Sequence, residues 1–240
     1  MATVQPLSAN VIQNAIRDAG DIGYTIIPNF VDDKSIGELR QLCDQLFVPL
    51  ELRGTPDPVT GYTGKNLQKF SRGFDDIWTN PDLVKIINGI MGNEPPWSVR
   101  ILDIGIKRIK PGQNGGRMHR DGQIYPLRVP GRPIVANSLL ALDPFTGDVG
   151  ATTIVPGSHL WDKPVDPSHE TIPVEMAPGS ILIFGGELWH CNGPNITEDR
   201  VRTALNMAYC SSWVQPINGP FSGIPSEVVA TLPQAVRDLL

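Results

Sequence analysis

From residue 97 onward the chain is cut at short intervals by Pro-Gly pairs, at Pro111-Gly112, Pro130-Gly131, Pro156-Gly157 and Pro178-Gly179. Proline has no amide hydrogen to donate and glycine tolerates positive φ, so each pair ends a regular run and turns the chain. The segments near 99–109, 134–142, 150–155, 172–176, 181–184 and 202–211 are rich in Ile, Val, Leu and Thr. Such side chains suit a pleated, half-buried surface. Several short strands with turns between them predict a sandwich or a jelly roll.

The N-terminal part reads differently. Ser8 is expected to cap a helix with Val11, Ile12, Ala15, Ile16 and Ala19 on its apolar face, stopped by Gly20. Tyr24-Thr-Ile-Ile27 reads as a strand. Asp32 can cap a second helix carrying Ile36, Leu39, Leu42 or Cys43, and Leu46 on one face. Asn80-Pro81 opens a third, with Asn as cap and Pro at the first helical position, running over Leu83, Val84, Ile86, Ile87, Ile90 and Met91 to Gly92. The tail from Pro225 to Leu240 reads as helical, with Pro233 starting its last turns. The expectation is one domain over 1–240: a helical part over about 8–92, a β core over about 97–212 and a helical tail over 225–240.

Composition excludes several classes. Hydrophobic residues at 40 % and charged residues at 19 % favour a packed core over disorder. A net charge of −5 and the lack of any Lys/Arg stripe argue against nucleic acid as a partner. No basic segment followed by an apolar stretch opens the chain, and no apolar run approaches the ~20 residues that span a bilayer. A cytoplasmic protein without membrane contact is expected. Cys43, Cys191 and Cys210 form no CxxC pair, so reduced thiols are expected rather than a disulfide framework or a zinc ribbon.

The chemistry resides in Met118-His119-Arg120-Asp121. Read as a strand, residues two apart share a face, so His119 and Asp121 would project together with a bite suited to one metal ion. His190, at the end of the apolar run that begins at Ile181, is the candidate third ligand. Two histidines and one carboxylate make the facial triad of non-haem Fe(II) oxygenases, which leaves coordination positions open for co-substrate and O2. A keto acid chelating that iron needs a cation for its far carboxylate, and arginine offers a bidentate fork. Arg202 follows His190 by twelve residues in a strand-like stretch, with Arg200 as the fallback.

These residues resemble the phytanoyl-CoA dioxygenase family. Lys110-Pro-Gly112 followed by Met118-His-Arg-Asp121 is similar to its first iron-ligand segment, and Asn137 to Asp143 to the core strand after it. Gly150-Ala-Thr152 and Val155-Pro-Gly-Ser-His159 match a "GAT…VPGSH" stretch. Pro178 to Phe184, His190-Cys-Asn-Gly-Pro-Asn195 and Arg202-Thr-Ala-Leu205 resemble the second ligand segment. Tyr125-Pro126 and Asp143-Pro-Phe-Thr146 particularly resemble the fungal dioxygenases that tailor meroterpenoids and indole alkaloids.

The resemblance implies a mainly β fold with flanking α-helices, a double-stranded β-helix of the jelly-roll, cupin-like kind. It implies Fe(II), 2-oxoglutarate and O2, with His119, Asp121 and His190 as iron ligands and catalytic centre. It carries Arg202 and Thr152 over to the keto-acid carboxylate, and Asn137 to a strand position lining the site. Several relatives place a Gln a few residues before the first His; Gly116 stands here, so that contact must be lost or replaced by another side chain. Related halogenases replace the carboxylate ligand with a small residue, so Asp121 points to hydroxylation, desaturation or rearrangement. The implied substrate is a small, largely apolar natural product of secondary metabolism. The alternatives are an acyl-CoA hydroxylase of the same family and a non-oxygenase metal-binding cupin-like protein. Tyr125 and Phe74 are the expected pocket residues, and loops around 50–75 and 120–132, with the tail, the expected determinants of substrate shape. A homodimer is compatible with this reading. His159 is expected to be structural, His169 a solvated loop residue, and Cys191 to point away from the metal.

Overall fold

The computed structural model describes residues 2–51, 67, 71–216 and 226–240, with side chains over 47–51 excepted. The N-terminal helix α1 (Ala9–Ile22) begins at Ser8, whose hydroxyl accepts from the amide of Val11 at 3.3 Å. It runs past Gly20 and stops at Gly23, which takes φ 99° and donates its amide to the Ala19 carbonyl. A glycine inside a helix costs about 1 kcal/mol, too little to end this one, which continues through the exposed Asp21 and Ile22. Gly23 also abuts two buried neighbours: a Cβ there would lie 2.7 Å from Leu188 Cδ1.

Strand β1 (Tyr24–Ile27) has the expected limits. Helix α2 (Asp33–Glu51) starts at Asp32, whose carboxylate accepts from the amide of Ser35 at 2.7 Å. A one-turn helix α3 (Asp75–Trp78), unmarked in the sequence, precedes α4 (Pro81–Met91). Asn80 caps α4 through the amides of Asp82 and Leu83, both at 3.0 Å, and Gly92 closes it at φ 64°.

Seven further strands follow: β2 (Val99–Ile109), β3 (Val135–Ala141), β4 (Thr152–Ile154), β5 (Ile172–Pro173), β6 (Ile181–Gly185), β7 (His190–Asn192) and β8 (Arg202–Ser211). They form a five-stranded sheet ordered β1-β6-β3-β8-β2 and a three-stranded sheet ordered β5-β4-β7, with every pairing antiparallel. The tail forms α5 (Ser226–Thr231) and α6 (Gln234–Arg237), the latter after Pro233.

Residues paired across antiparallel strands share a face, and that rule sorts the large sheet. Ile104, Ile106, Leu140, Ile181, Ile183, Leu205, Met207 and Tyr209 pack with the buried residues of α1, α2, α3 and α4 in one core. On the opposite face Leu139, Ala141, Leu182, Phe184 and Ala204 meet Phe145, Ala151, Ile154, Val174, Met176 and Leu188. The architecture is the expected jelly roll of two facing sheets with helices on the outside of one. A register shift between Ile101 and Asp103 turns Asp103 to the inner face, opposite Ala208. Among the described residues no helix is long and apolar enough to cross a membrane.

Candidate metal centre

His119 and His190 are joined backbone to backbone. Each amide donates to the other's carbonyl at 2.9 Å, an isolated antiparallel bridge that lengthens the small sheet beyond β7. The bridge sets the imidazoles side by side, with ring centroids 4.4 Å apart.

Asp121 arrives by a different route from the one strand alternation predicts. The chain leaves extended geometry after Arg120, and Asp121 opens a single 3-10 turn through Ile124. The amide of Gly122 donates to the Gly186 carbonyl at 2.9 Å, pinning that turn to the end of β6. The outcome is nevertheless convergent: Asp121 Oδ1 lies 3.3 Å from His119 Nε2 and Oδ2 lies 3.3 Å from His190 Nε2. One ligand atom from each of the three lies within 4.8 Å of the others, so the group could hold one metal ion.

The orientation of each ring is fixed from behind. His119 Nδ1 lies 2.8 Å from the carbonyl of Arg117, and His190 Nδ1 lies 2.9 Å from that of Leu188. A carbonyl only accepts, so each Nδ1 donates its hydrogen, which turns each Nε2 inward toward Asp121. Asn137 Nδ2 donates to Asp121 Oδ2 at 2.5 Å. Asn137 therefore touches the carboxylate itself, from the inner face of β3. Burial would push the Asp121 carboxyl up, but His190 and His119 outweigh it and hold it well below the usual range. The hydrogen bond to Asp121 raises His119 in turn, against its burial.

A buried ion cluster supports the ligand loop, and nothing in the sequence pattern marks it. Glu187, 3 % exposed, accepts from Arg120 Nη1 at 3.2 Å and from Arg128 Nε at 2.7 Å. Arg120, between His119 and Asp121 in sequence, turns its guanidinium over the Trp189 ring, 5.0 Å from its centroid. Arg128 continues to Asp162 at 2.6 Å and to the Trp161 carbonyl.

Arg202, at the start of β8, is fully buried. Its Nε and Nη2 donate to the Gly150 carbonyl at 3.0 and 2.6 Å, and Nη2 also reaches Asn192 Oδ1 at 3.3 Å. The guanidinium lies over the Phe145 ring, 4.4 Å from the centroid. Two buried polar atoms here have no partner, Arg202 Nη1 and Thr152 Oγ1. Thr152 pairs with Asn192 across β4 and β7, so all three side chains meet at one end of the small sheet. Burying such atoms without partners is costly, and a carboxylate would satisfy both. Arg200 lies outside β8 and is engaged with Asp148 at the surface.

The inner face of β2 holds a residue the sequence reading passed over. Lys107 lies opposite Ala204, and the same face of β2 and β8 carries Asp103, Asn206 and Arg202. Lys107 is partly buried. Burial lowers its pKa, and Asp121 is the strongest of the charges that offset this. The alternation of β2 carried the signal.

Other expected residues fall as follows. Tyr125 donates its hydroxyl to the Gln215 carbonyl at 3.0 Å and packs on Leu102, Val135, Ala208, Cys210 and Val214, beyond Asn137 on the inner face. Phe74 is 1 % exposed in the core on the helix side of the large sheet, so the structure does not bring it to the site. The reason is local: the turn before α3 packs under the helices. His159 is buried, with Nε2 2.8 Å from the Gly20 carbonyl, a structural role. His169 is less solvated than expected, its ring 4.7 Å from that of Trp161. Cys191 lies opposite Thr153, on the face away from His190. Residues 52–66, within the loop expected to shape the pocket, lie outside the described residues.

The model of the family described as "Phytanoyl-CoA dioxygenase (PhyH)" matches residues 21–204, and the chain belongs to that family. It is 34 % identical over 232 residues to the dioxygenase cdmA of Talaromyces verruculosus, covering 90 % of this chain and 78 % of that protein. It is 33 % identical over 141 residues to the dioxygenase trt7 of Aspergillus terreus, covering 56 % of this chain and only 49 % of trt7, so the match spans about half of that relative's length. In three dimensions it is similar to the non-heme alpha ketoglutarate dependent carbocyclase SnoK from nogalamycin biosynthesis. The TM-score is 0.71 at 18 % identity over 94 % of both chains, a likeness of fold.

Proposed function

We propose that this chain is an Fe(II)- and 2-oxoglutarate-dependent oxygenase that oxidises an unactivated C–H bond of a small natural product. The observation that carries the reading is the convergence of His119 Nε2, His190 Nε2 and the Asp121 carboxylate within 4.8 Å of one another. The donor set fits iron: two imidazoles with their outer nitrogens already engaged, and one carboxylate steadied by Asn137. The unpartnered Arg202 Nη1 and Thr152 Oγ1 fit the far carboxylate of 2-oxoglutarate.

In this reading His119, Asp121 and His190 hold the metal on one side, and Arg202 with Thr152 fixes the keto acid from the far end. Bound iron and 2-oxoglutarate would supply the activation of O2, the keto acid leaving as succinate and CO2 while one substrate C–H bond is oxidised. The chain's own part is positioning. Asn137 and the two backbone carbonyls hold the ligands before the metal arrives. Phe145 and the Gly150 carbonyl hold the guanidinium where the carboxylate would lie. The carboxylate ligand Asp121 leaves no place for a halide at its position, which favours hydroxylation, desaturation or rearrangement over halogenation.

Tyr125 and the apolar residues around it would form one wall for the substrate. SnoK's place in nogalamycin biosynthesis and the fungal dioxygenases among the relatives support a substrate from secondary metabolism. An acyl-CoA substrate gains no support from the groove holding Arg40 and Arg108, whose guanidinium groups pair with Asp143 at 2.6 Å and Asp44 at 2.5 Å. The test is aerobic incubation of the iron-loaded protein with 2-oxoglutarate and a panel of natural products, scored by succinate release. Substrate-stimulated succinate supports the reading; turnover of a substrate with no keto acid consumed, or with another metal alone, overturns it.

A further inference from the structure

We propose that Lys107 is the second cation of the 2-oxoglutarate site, holding the carboxylate at the metal end of the keto acid, an assignment that rests on the reading above. The argument starts from register. Arg202 pairs with Ile109 and Lys107 with Ala204, so the two cations are diagonal neighbours on the inner face of β2 and β8. Diagonal neighbours stand roughly 7–8 Å apart, a separation that long side chains can close on a five-carbon diacid.

The direction is right as well. On the small sheet, Asn192 and Thr152 mark the Arg202 end, and His190, opposite Ile154, marks the metal end. On the large sheet, Ala208 pairs with Asn137, which holds Asp121. Lys107, level with Ala204, therefore lies between Arg202 and the metal ligands along β8. A dianion laid from one end to the other passes beside it.

Charge balance supplies the second argument. A partly buried cation gains from a nearby anion, and of the two carboxylates that act on Lys107, Asp121 and Asp103, Asp121 acts more strongly. Once Asp121 binds a metal, its charge is shared with that metal and its hold on the ammonium weakens, leaving room for a further anion beside Lys107. A diacid resolves this with one carboxylate for Arg202 and one for Lys107. Gly116 has no side chain to offer a carboxylate, and its amide already donates to the Asn192 carbonyl at 2.8 Å.

The experiment is an anaerobic titration of the Fe(II)-loaded protein with 2-oxoglutarate, and separately with 2-oxovalerate, which lacks the far carboxylate. The visible charge-transfer band of the iron–keto acid chelate reports binding without turnover. K107M should weaken both keto acids about tenfold, the loss expected for a hydrogen bond to a charged group. K107R should stay close to the native protein. R202M should weaken 2-oxoglutarate and leave 2-oxovalerate unchanged. If K107M does not fold, as judged by its thermal midpoint, K107Q carries the same comparison. Unchanged binding of 2-oxoglutarate overturns the assignment, as does a loss confined to 2-oxoglutarate, which would put Lys107 at the far carboxylate. No band in the native protein would instead sink the iron and 2-oxoglutarate reading itself.

Discussion

His119 and His190 exchange both backbone hydrogen bonds, at 2.9 Å in each direction, although 71 residues separate them in the chain. One isolated bridge between the loop at His119 and strand β7 thus fixes the spacing of both imidazoles. Replacing either ring leaves the bridge intact, because it is made of backbone alone. His119→Ala and His190→Ala should therefore remain folded by circular dichroism while losing iron binding and succinate formation to background. Near-normal succinate release in either variant would contradict the assignment.

Asn137 donates to Asp121 Oδ2 at 2.5 Å, so it aims the carboxylate rather than reaching past it. Asn137→Ala should weaken Fe(II) binding by about 10- to 100-fold, the usual consequence of losing a partner behind a metal ligand. Competition against a calibrated chelator measures this. The far-carboxylate contact should be untouched, so saturating iron should restore the apparent affinity for 2-oxoglutarate.

Arg202→Ala acts at the other end. It removes both hydrogen bonds to Gly150 and the cation over Phe145, so a stability loss of about 1–3 kcal/mol is expected in urea unfolding. The apparent 2-oxoglutarate requirement should rise at least tenfold while Fe(II) binding is retained. A variant that loses iron and keto acid in equal measure would place Arg202 in a purely structural role.

Glu187→Gln tests the support beneath the ligand loop. The substitution leaves Arg120 and Arg128, both largely buried, without their shared anion. A destabilisation of about 3 kcal/mol is expected, in line with breaking a buried ion pair from one side. The measurement is the shift in urea midpoint at constant slope.

The three thiols should differ in reactivity. Burial pushes Cys43 up to about 12 and Cys210 up to about 11, and both are buried by exposed area as well. Cys191 is also raised by burial but is partly exposed. A thiol reagent at neutral pH should label Cys191 alone in the native protein, slowly, and all three after denaturation.

Much of this was legible in the residues. Strands β1 and β2 begin and end where β-branched runs and turn pairs put them, and Asn80-Pro81 with Gly92 bounds α4 as capping chemistry requires. The triad was legible as residue types and order. Its geometry was not, because Asp121 turns into a 3-10 helix through a contact between Gly122 and Gly186, distant in sequence. Strand β7 is three residues long, too short to show a period, and it exists through its partners Thr152 to Ile154. Gly20 reads as a helix stop, yet a glycine that keeps helical geometry costs too little to end a helix; the end comes at Gly23, where the backbone takes φ 99°. Lys107 could have been found by counting in twos from Asp103, but a lone lysine on a strand ordinarily faces solvent.

The most direct measurement is an iron-edge anomalous difference map from crystals grown anaerobically with Fe(II) and 2-oxoglutarate. The account predicts one strong peak within bonding distance of His119 Nε2, His190 Nε2 and an Asp121 oxygen, with the keto acid running from it toward Arg202. Iron bound elsewhere, or a peak that leaves any of those three side chains uncoordinated, would contradict it.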